Sequence, residues 1–153
     1  RNYQEGKKFA LMANMGNKSK TTTAMRVLLV EDDELTSEGA GIKLEKSGFV
    51  VAHAEDGDFA LKKLKEDSNF AAILLDLRMP RSDGFEFLKK KKADPALSEI
   101  PVVVFSNMSQ PEHIERALAL GAKGYLVKAN HRIEDIVVEL KKCIETGVCK
   151  IDR

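Results

Sequence analysis

Cysteine is scarce in this chain: Cys143 and Cys149 are the only two among 153 residues. With no partner cysteines elsewhere, a disulfide framework of the kind that staples small secreted domains is excluded. Their C-x5-C spacing matches neither a redox pair nor a zinc pair, so both are expected to be reduced thiols in a cytoplasmic protein. Long apolar runs are lacking as well. None approaches the ~18 residues that a membrane span needs, and the leader lacks the apolar stretch of a secretory signal. Neither sign of charge dominates: 25 basic and 24 acidic residues leave a formal net charge of +1. Whole-chain charge therefore gives no reason to expect a nucleic-acid partner. The histidines His53, His113 and His131 fall on different elements without ligand spacing and are read as non-metal. Gly57, Gly84 and Gly124 are isolated and read as turn glycines, not as a phosphate-cradling loop.

What charge there is lies unevenly. Five of the basic residues but only one acid, Glu5, precede residue 26, so the remainder carries an excess of three acids. The first residues are rich in Asn, Lys, Ser and Thr, with no sustained apolar period beyond Phe9–Met12. The expected organisation is a flexible N-terminal extension over 1–24, one folded domain over 25–146 and a C-terminal tail over 147–153.

Five short β-branched runs stand out: Arg26 to Val30, Phe49 to His53, Ala71 to Leu75, Ile100 to Phe105 and Lys123 to Val127. They alternate little, as strands buried on both faces do. Helical spacing follows them, as in Ile114, Ala117, Leu118 and Gly121, and in Ile133, Ile136, Val137, Leu140 and Ile144. Ser109 with Glu112 forms a capping-box pattern, with Pro111 in the first turn. Gly48 and Gly121 are expected helix stops, and Asp94-Pro95 closes the third helix. Five alternating units imply a doubly wound α/β fold around a parallel sheet with right-handed crossovers.

Ligands of such sheets sit outside the carboxyl ends of the strands. There stand Glu31-Asp32-Asp33 after the first run, Asp76 after the third, Ser106-Asn107 after the fourth and Lys128 after the fifth. Carboxylate oxygens suit a hard cation such as Mg2+, which lowers the repulsion between a carboxylate nucleophile and an incoming phosphoryl group. A hydroxyl and an ammonium suit the phosphoryl oxygens. Simpler readings stand beside these. The first acids can cap the next helix, and Asp76 can form a structural salt bridge to Lys128.

Four blocks, taken together and in order, resemble the signatures of response regulator receiver domains. They are Leu28 to Asp33; Leu74 to Pro80 with Asp83-Gly84; Val103 to Asn107; and Gly121-Ala122 with Gly124 to Lys128. The resemblance spans about residues 25 to 146. It implies a flavodoxin-like five-stranded parallel sheet in the order 2-1-3-4-5. It also implies that Asp76 is the phospho-accepting nucleophile and that Mg2+ is held by Glu31, Asp32, Asp76 and the backbone carbonyl of Arg78. Ser106 and Lys128 would follow the phosphoryl oxygens, and Ser106 and Tyr125 would form the switch. Such a domain is not an enzyme beyond its own phosphotransfer and slow autodephosphorylation. Its implied partners are a histidine kinase or histidine phosphotransfer protein and a downstream protein, met through the fourth helix, fifth strand and fifth helix. With no output domain after the last helix, a stand-alone receiver is expected, monomeric or a phosphorylation-dependent dimer, away from membrane and nucleic acid.

The chain departs from the family pattern at several points. Ala129 replaces the usual Pro after Lys128, where a cis bond would cost about 2.5–4 kcal/mol; Asn107 replaces a smaller residue, and Ser106 the commoner Thr. Arg78 stands where aspartyl-phosphate phosphatases carry a general acid, which argues against that alternative. A phosphorylation-independent interaction module is the other alternative. The run Lys89 to Lys92 reads as a solvated helix end, not a nucleic-acid patch.

Overall fold

The structure, a computed structural model, describes residues 25–79 and 83–153; the expected extension 1–24 and Pro80 of the Asp76 block lie outside the described residues. Strands and helices alternate as the runs predict: β1 (Arg26–Val30), α1 (Glu34–Lys46), β2 (Val50–Ala54), α2 (Gly57–Glu66), β3 (Ala72–Leu75), α3 (Gly84–Ala93), β4 (Val102–Ser106), α4 (Pro111–Ala119), β5 (Gly124–Val127) and α5 (Ile133–Thr146). Among the described residues all strand pairs are parallel, and the sheet order is β2-β1-β3-β4-β5.

Successive strand residues point to opposite faces, and both faces are covered. Leu28, Val30, Ile73, Leu75, Val102 and Val104 pack with residues of α2, α3 and α4, including Leu64, Leu88 and Ile114. Val27, Leu29, Ala72, Leu74, Val103 and Phe105 pack with residues of α1 and α5, including Leu44 and Leu140. Two apolar faces explain why the runs show no polar alternation. The edges differ: Val50 on β2 is 48% exposed, whereas β5 is buried from end to end.

Helix ends follow local chemistry. Asp33, Asp56 and Asp83 cap α1, α2 and α3, each accepting a backbone N–H from the third residue on. Gly48 and Gly121 do stop helices, at φ 99° and 102°. The expected Ser109–Glu112 capping box does not form. Pro111 at the first helical turn sets Gln110 as the N-cap, and the Gln110 amide oxygen instead meets His113 Nδ1 at 3.1 Å. Gly57, Gly84 and Gly124 are not turn glycines either, since each begins a helix or strand.

Two further expectations need correction. Lys91 is buried, not solvated, because its ammonium turns inward to donate to the Ser98 carbonyl at 3.1 Å. Cys143 and Cys149 form a disulfide. Gly147, at φ 76°, reverses the chain after α5 and brings the two Cα atoms to 4.4 Å, a geometry that rules on motif spacing do not cover. Among the described residues, no helix is long and apolar enough to cross a membrane.

Candidate functional site

The ladder extends one residue beyond β1 and β3, and this places the acids. Glu31 N donates to Ala54 O and Asp76 N donates to Val30 O, each at 3.0 Å. Both side chains therefore start from backbone fixed at the carboxyl edge of the sheet. Carboxylate oxygens of Glu31, Asp32 and Asp76 lie within 4.8 Å of one another. Glu31 and Asp76 are buried, whereas Asp32 is exposed. Asp33, the third acid of the first block, is the helix cap, as the capping reading of that block expects, while Glu31 and Asp32 lie in the acidic cluster.

Lys128 enters from the end of β5. Its ammonium donates to Glu31 Oε1 at 2.7 Å and to Asp76 Oδ2 at 3.4 Å, over the Phe105 ring at 5.3 Å. The salt bridge between Lys128 and Asp76, the simpler alternative for that acid, is thus present as the longer arm of a three-way cluster. Burial pushes the Glu31 carboxyl up, the Lys128 hydrogen bond offsets part of this, and the Asp76 charge adds to it, for a net rise. Burial acts to lower the Lys128 ammonium, but the Glu31 and Asp76 carboxylates outweigh it and hold the amine protonated. The chain leaves Lys128 in a 3-10 turn over Lys128–Asn130, which is the path taken where Ala129 replaces Pro.

The loop after β3 is pinned to the site. Arg78 N donates to Asp76 Oδ1 at 3.2 Å, while the Arg78 residue itself is exposed. Gly84 allows α3 to start directly against this loop: a Cβ there would stand 2.7 Å from Leu77 Cα and 2.9 Å from Asp76 O.

Ser106 and Tyr125 form a second layer joined through the β4–α4 loop. Ser106 is fully buried, and its Oγ accepts from Met108 N at 3.2 Å. The Tyr125 hydroxyl donates to Met108 O at 2.6 Å, and its ring is fully buried, turned inward rather than lying on the rim. Burial, with the nearby Asp76 charge, pushes this phenol up to about 12. Motif reading identified neither the Phe105 ring beneath Lys128 nor the Met108 carbonyl as parts of the site; both are generic apolar positions in sequence.

A doubly wound parallel sheet with a lysine-bridged carboxylate cluster outside its strand ends defines a class of acidic-crevice α/β domains. The response regulator receiver domain model matches residues 27–141, and the chain belongs to that family. It is 34% identical over 123 residues to a gliding motility regulatory protein of Myxococcus xanthus, covering 80% of this chain but 16% of that protein. It is 37% identical over 102 residues to the two-component response regulator ORR11 of rice, Oryza sativa subsp. indica, covering 67% and 69% of the two chains. Among solved structures, the chemotaxis protein CheY4 of Vibrio cholerae superposes with TM-score 0.73 at 29% identity, over 78% of this chain and 98% of that one. The phosphorylated cyanobacterial phytochrome response regulator RcpA gives TM-score 0.74 at 27% identity, over 82% and 97%. The family is one of signalling domains, not of conventional enzymes.

Proposed function

We propose that this receiver takes a phosphoryl group onto Asp76 from a histidine kinase or histidine phosphotransfer protein and, in consequence, alters its α4–β5–α5 face for a downstream protein. The observation that carries this reading is the convergence of Glu31, Asp32 and Asp76 within 4.8 Å, with Lys128 bridging Glu31 and Asp76.

An all-oxygen donor set of this size fits Mg2+ rather than a softer metal. Glu31, Asp32, Asp76 and the Arg78 carbonyl would hold it, and it would supply charge neutralisation between nucleophile and phosphoryl group. Asp76 attacks phosphorus through a carboxylate oxygen, the P–N bond to the donor imidazole breaks, and that imidazole leaves with the electron pair and takes a proton. Lys128, held charged by its neighbours, turns from Glu31 toward the new phosphoryl oxygens. Ser106 exchanges its bond with Met108 N for one to a phosphoryl oxygen. Because Tyr125 is tied to the carbonyl of the same Met108, movement of this loop reaches its ring and so the α4–β5–α5 face. A cytoplasmic location accompanies this reading, since the donor kinases act there.

Beryllofluoride with Mg2+, which mimics a phosphorylated aspartate, tests the reading. The amide resonances of Ser106 and Tyr125 shift if it is right; an unchanged spectrum contradicts it.

A further inference from the structure

An edge strand normally presents unpaired backbone groups to solvent, yet β5 does not. Residues 149–153 run parallel to it, with Ile151 bridged to Tyr125. Tyr125 N donates to Lys150 O at 3.0 Å, and Asp152 N returns a bond to Tyr125 O at 2.8 Å. Val127 N donates to Asp152 Oδ2 at 2.8 Å, and the same oxygen meets His131 Nε2 at 2.7 Å. Arg153 Nη1 then reaches Glu115 of α4 at 2.8 Å. The segment thus crosses from α5 over β5 to α4. Gly124 makes room for it: a Cβ there would stand 3.0 Å from Cys149 Cβ and 3.1 Å from Lys150 O. The Cys143–Cys149 bond fastens the start of the segment to α5.

We propose that the β5 edge is a strand-docking surface whose occupant is this chain's own segment 149–153, and that the Cys143–Cys149 bond decides whether it is occupied. Five residues making one bridge form too small a strand to hold by pairing alone. Fastened at Cys149, the segment sees the edge at high effective concentration; unfastened, it is tethered through the turn at Gly147 alone. Cys149 is partly exposed while Cys143 is buried, so Cys149 is the more accessible end of the bond to a reducing dithiol. Its thiolate attacks Cys149 Sγ to form a mixed disulfide and releases Cys143 as a thiol. The second thiol of the reductant then closes on the first, frees Cys149, and leaves as a cyclic disulfide. Two electrons and two protons pass to the chain. In a reducing compartment such a bond is transient and responsive, not a permanent staple. The meaning of the device rests on the receiver reading, because the covered face is the α4–β5–α5 face and Tyr125 belongs to both.

Backbone amide exchange on the full, unphosphorylated chain reads the strap independently of Asp76 chemistry. In the oxidised chain the amides of Tyr125 and Val127 exchange slowly. Reduction with dithiothreitol speeds both by about tenfold or more, while Ile73, whose amide bonds Pro101 O inside the sheet, is unchanged; reoxidation restores protection. Cys149→Ser behaves as the reduced chain, and the reduction cycle on the unsubstituted chain stands alone if that variant folds poorly. Equal protection of Tyr125 and Val127 in both thiol states overturns the proposal, as does fast exchange in the oxidised chain. The beryllofluoride response of Ser106 in the same sample reports separately on the receiver reading.

Discussion

Lys128 stands nearer to Glu31 than to Asp76, with its ammonium 2.7 Å from Glu31 Oε1 and 3.4 Å from Asp76 Oδ2. In the resting site the lysine therefore acts first as the counter-ion of a buried glutamate. Lys128→Met leaves Glu31 buried beside Asp76 without that partner, and removing one member of such a pair is costly. We expect the variant to lose about 1–3 kcal/mol of unfolding free energy in chelator, read by urea denaturation. Saturating Mg2+ should recover more stability in the variant than in the parent chain. Equal stability without Mg2+ would show that the lysine does not hold this cluster together.

Asp76→Asn acts in the opposite direction. It removes the charge that helps push Glu31 up, so the metal-free chain should gain about 0.5–1.5 kcal/mol. The rise in Tm on adding Mg2+ should shrink or vanish, since one of three carboxylates is gone. Thermal melts with and without Mg2+ check both signs together; a variant less stable than the parent in chelator contradicts them.

Gly84→Ala tests the seam between α3 and the site. The added methyl would meet Leu77 Cα and Asp76 O at 2.7 and 2.9 Å, which are backbone atoms and cannot swing aside. A loss of about 2–3 kcal/mol is expected, against the small gain that Gly→Ala gives at an unobstructed helical site. Urea unfolding decides between these outcomes.

Several of these features are legible in the sequence alone. The strand-end rule placed Glu31, Asp32, Asp76 and Lys128 together, because parallel strands of similar length bring their ends to one side whatever the side chains do. Short β-branched runs also marked all five strands, within one or two residues at their ends. Other features depended on contacts distant in sequence. Nothing in Lys89 to Lys92 marks Lys91 as the one that folds inward to Ser98 O. Ser109 and Glu112 carried the capping pattern, but Pro111 fixed the helix start one residue later. The disulfide was hidden because its geometry depends on Gly147 turning the chain back along β5, a pairing made with Tyr125 and invisible in local spacing. Ser106 and Tyr125 were legible as a pair only through family resemblance, and their common partner, the Met108 backbone, carries no sequence signal.

Tyr125 should also show itself in alkaline titration. Burial raises its phenol from 10.0 to about 12, so between those values the unfolded chain has lost a proton that the folded chain keeps. The folded state then binds more protons, and its stability falls as pH rises through this window. Below pH 10 the contribution is fully present. Absorbance of phenolate, taken as the difference between the parent chain and Tyr125→Phe, should rise near pH 12; a midpoint near 10 would mean the ring is not held inward.

Phosphoryl acceptance by Asp76 is read by intact mass spectrometry after incubation with acetyl phosphate and Mg2+. A gain of one phosphoryl group is expected, absent in chelator and in Asp76→Asn. No gain, or a gain that Asp76→Asn leaves untouched, would contradict it.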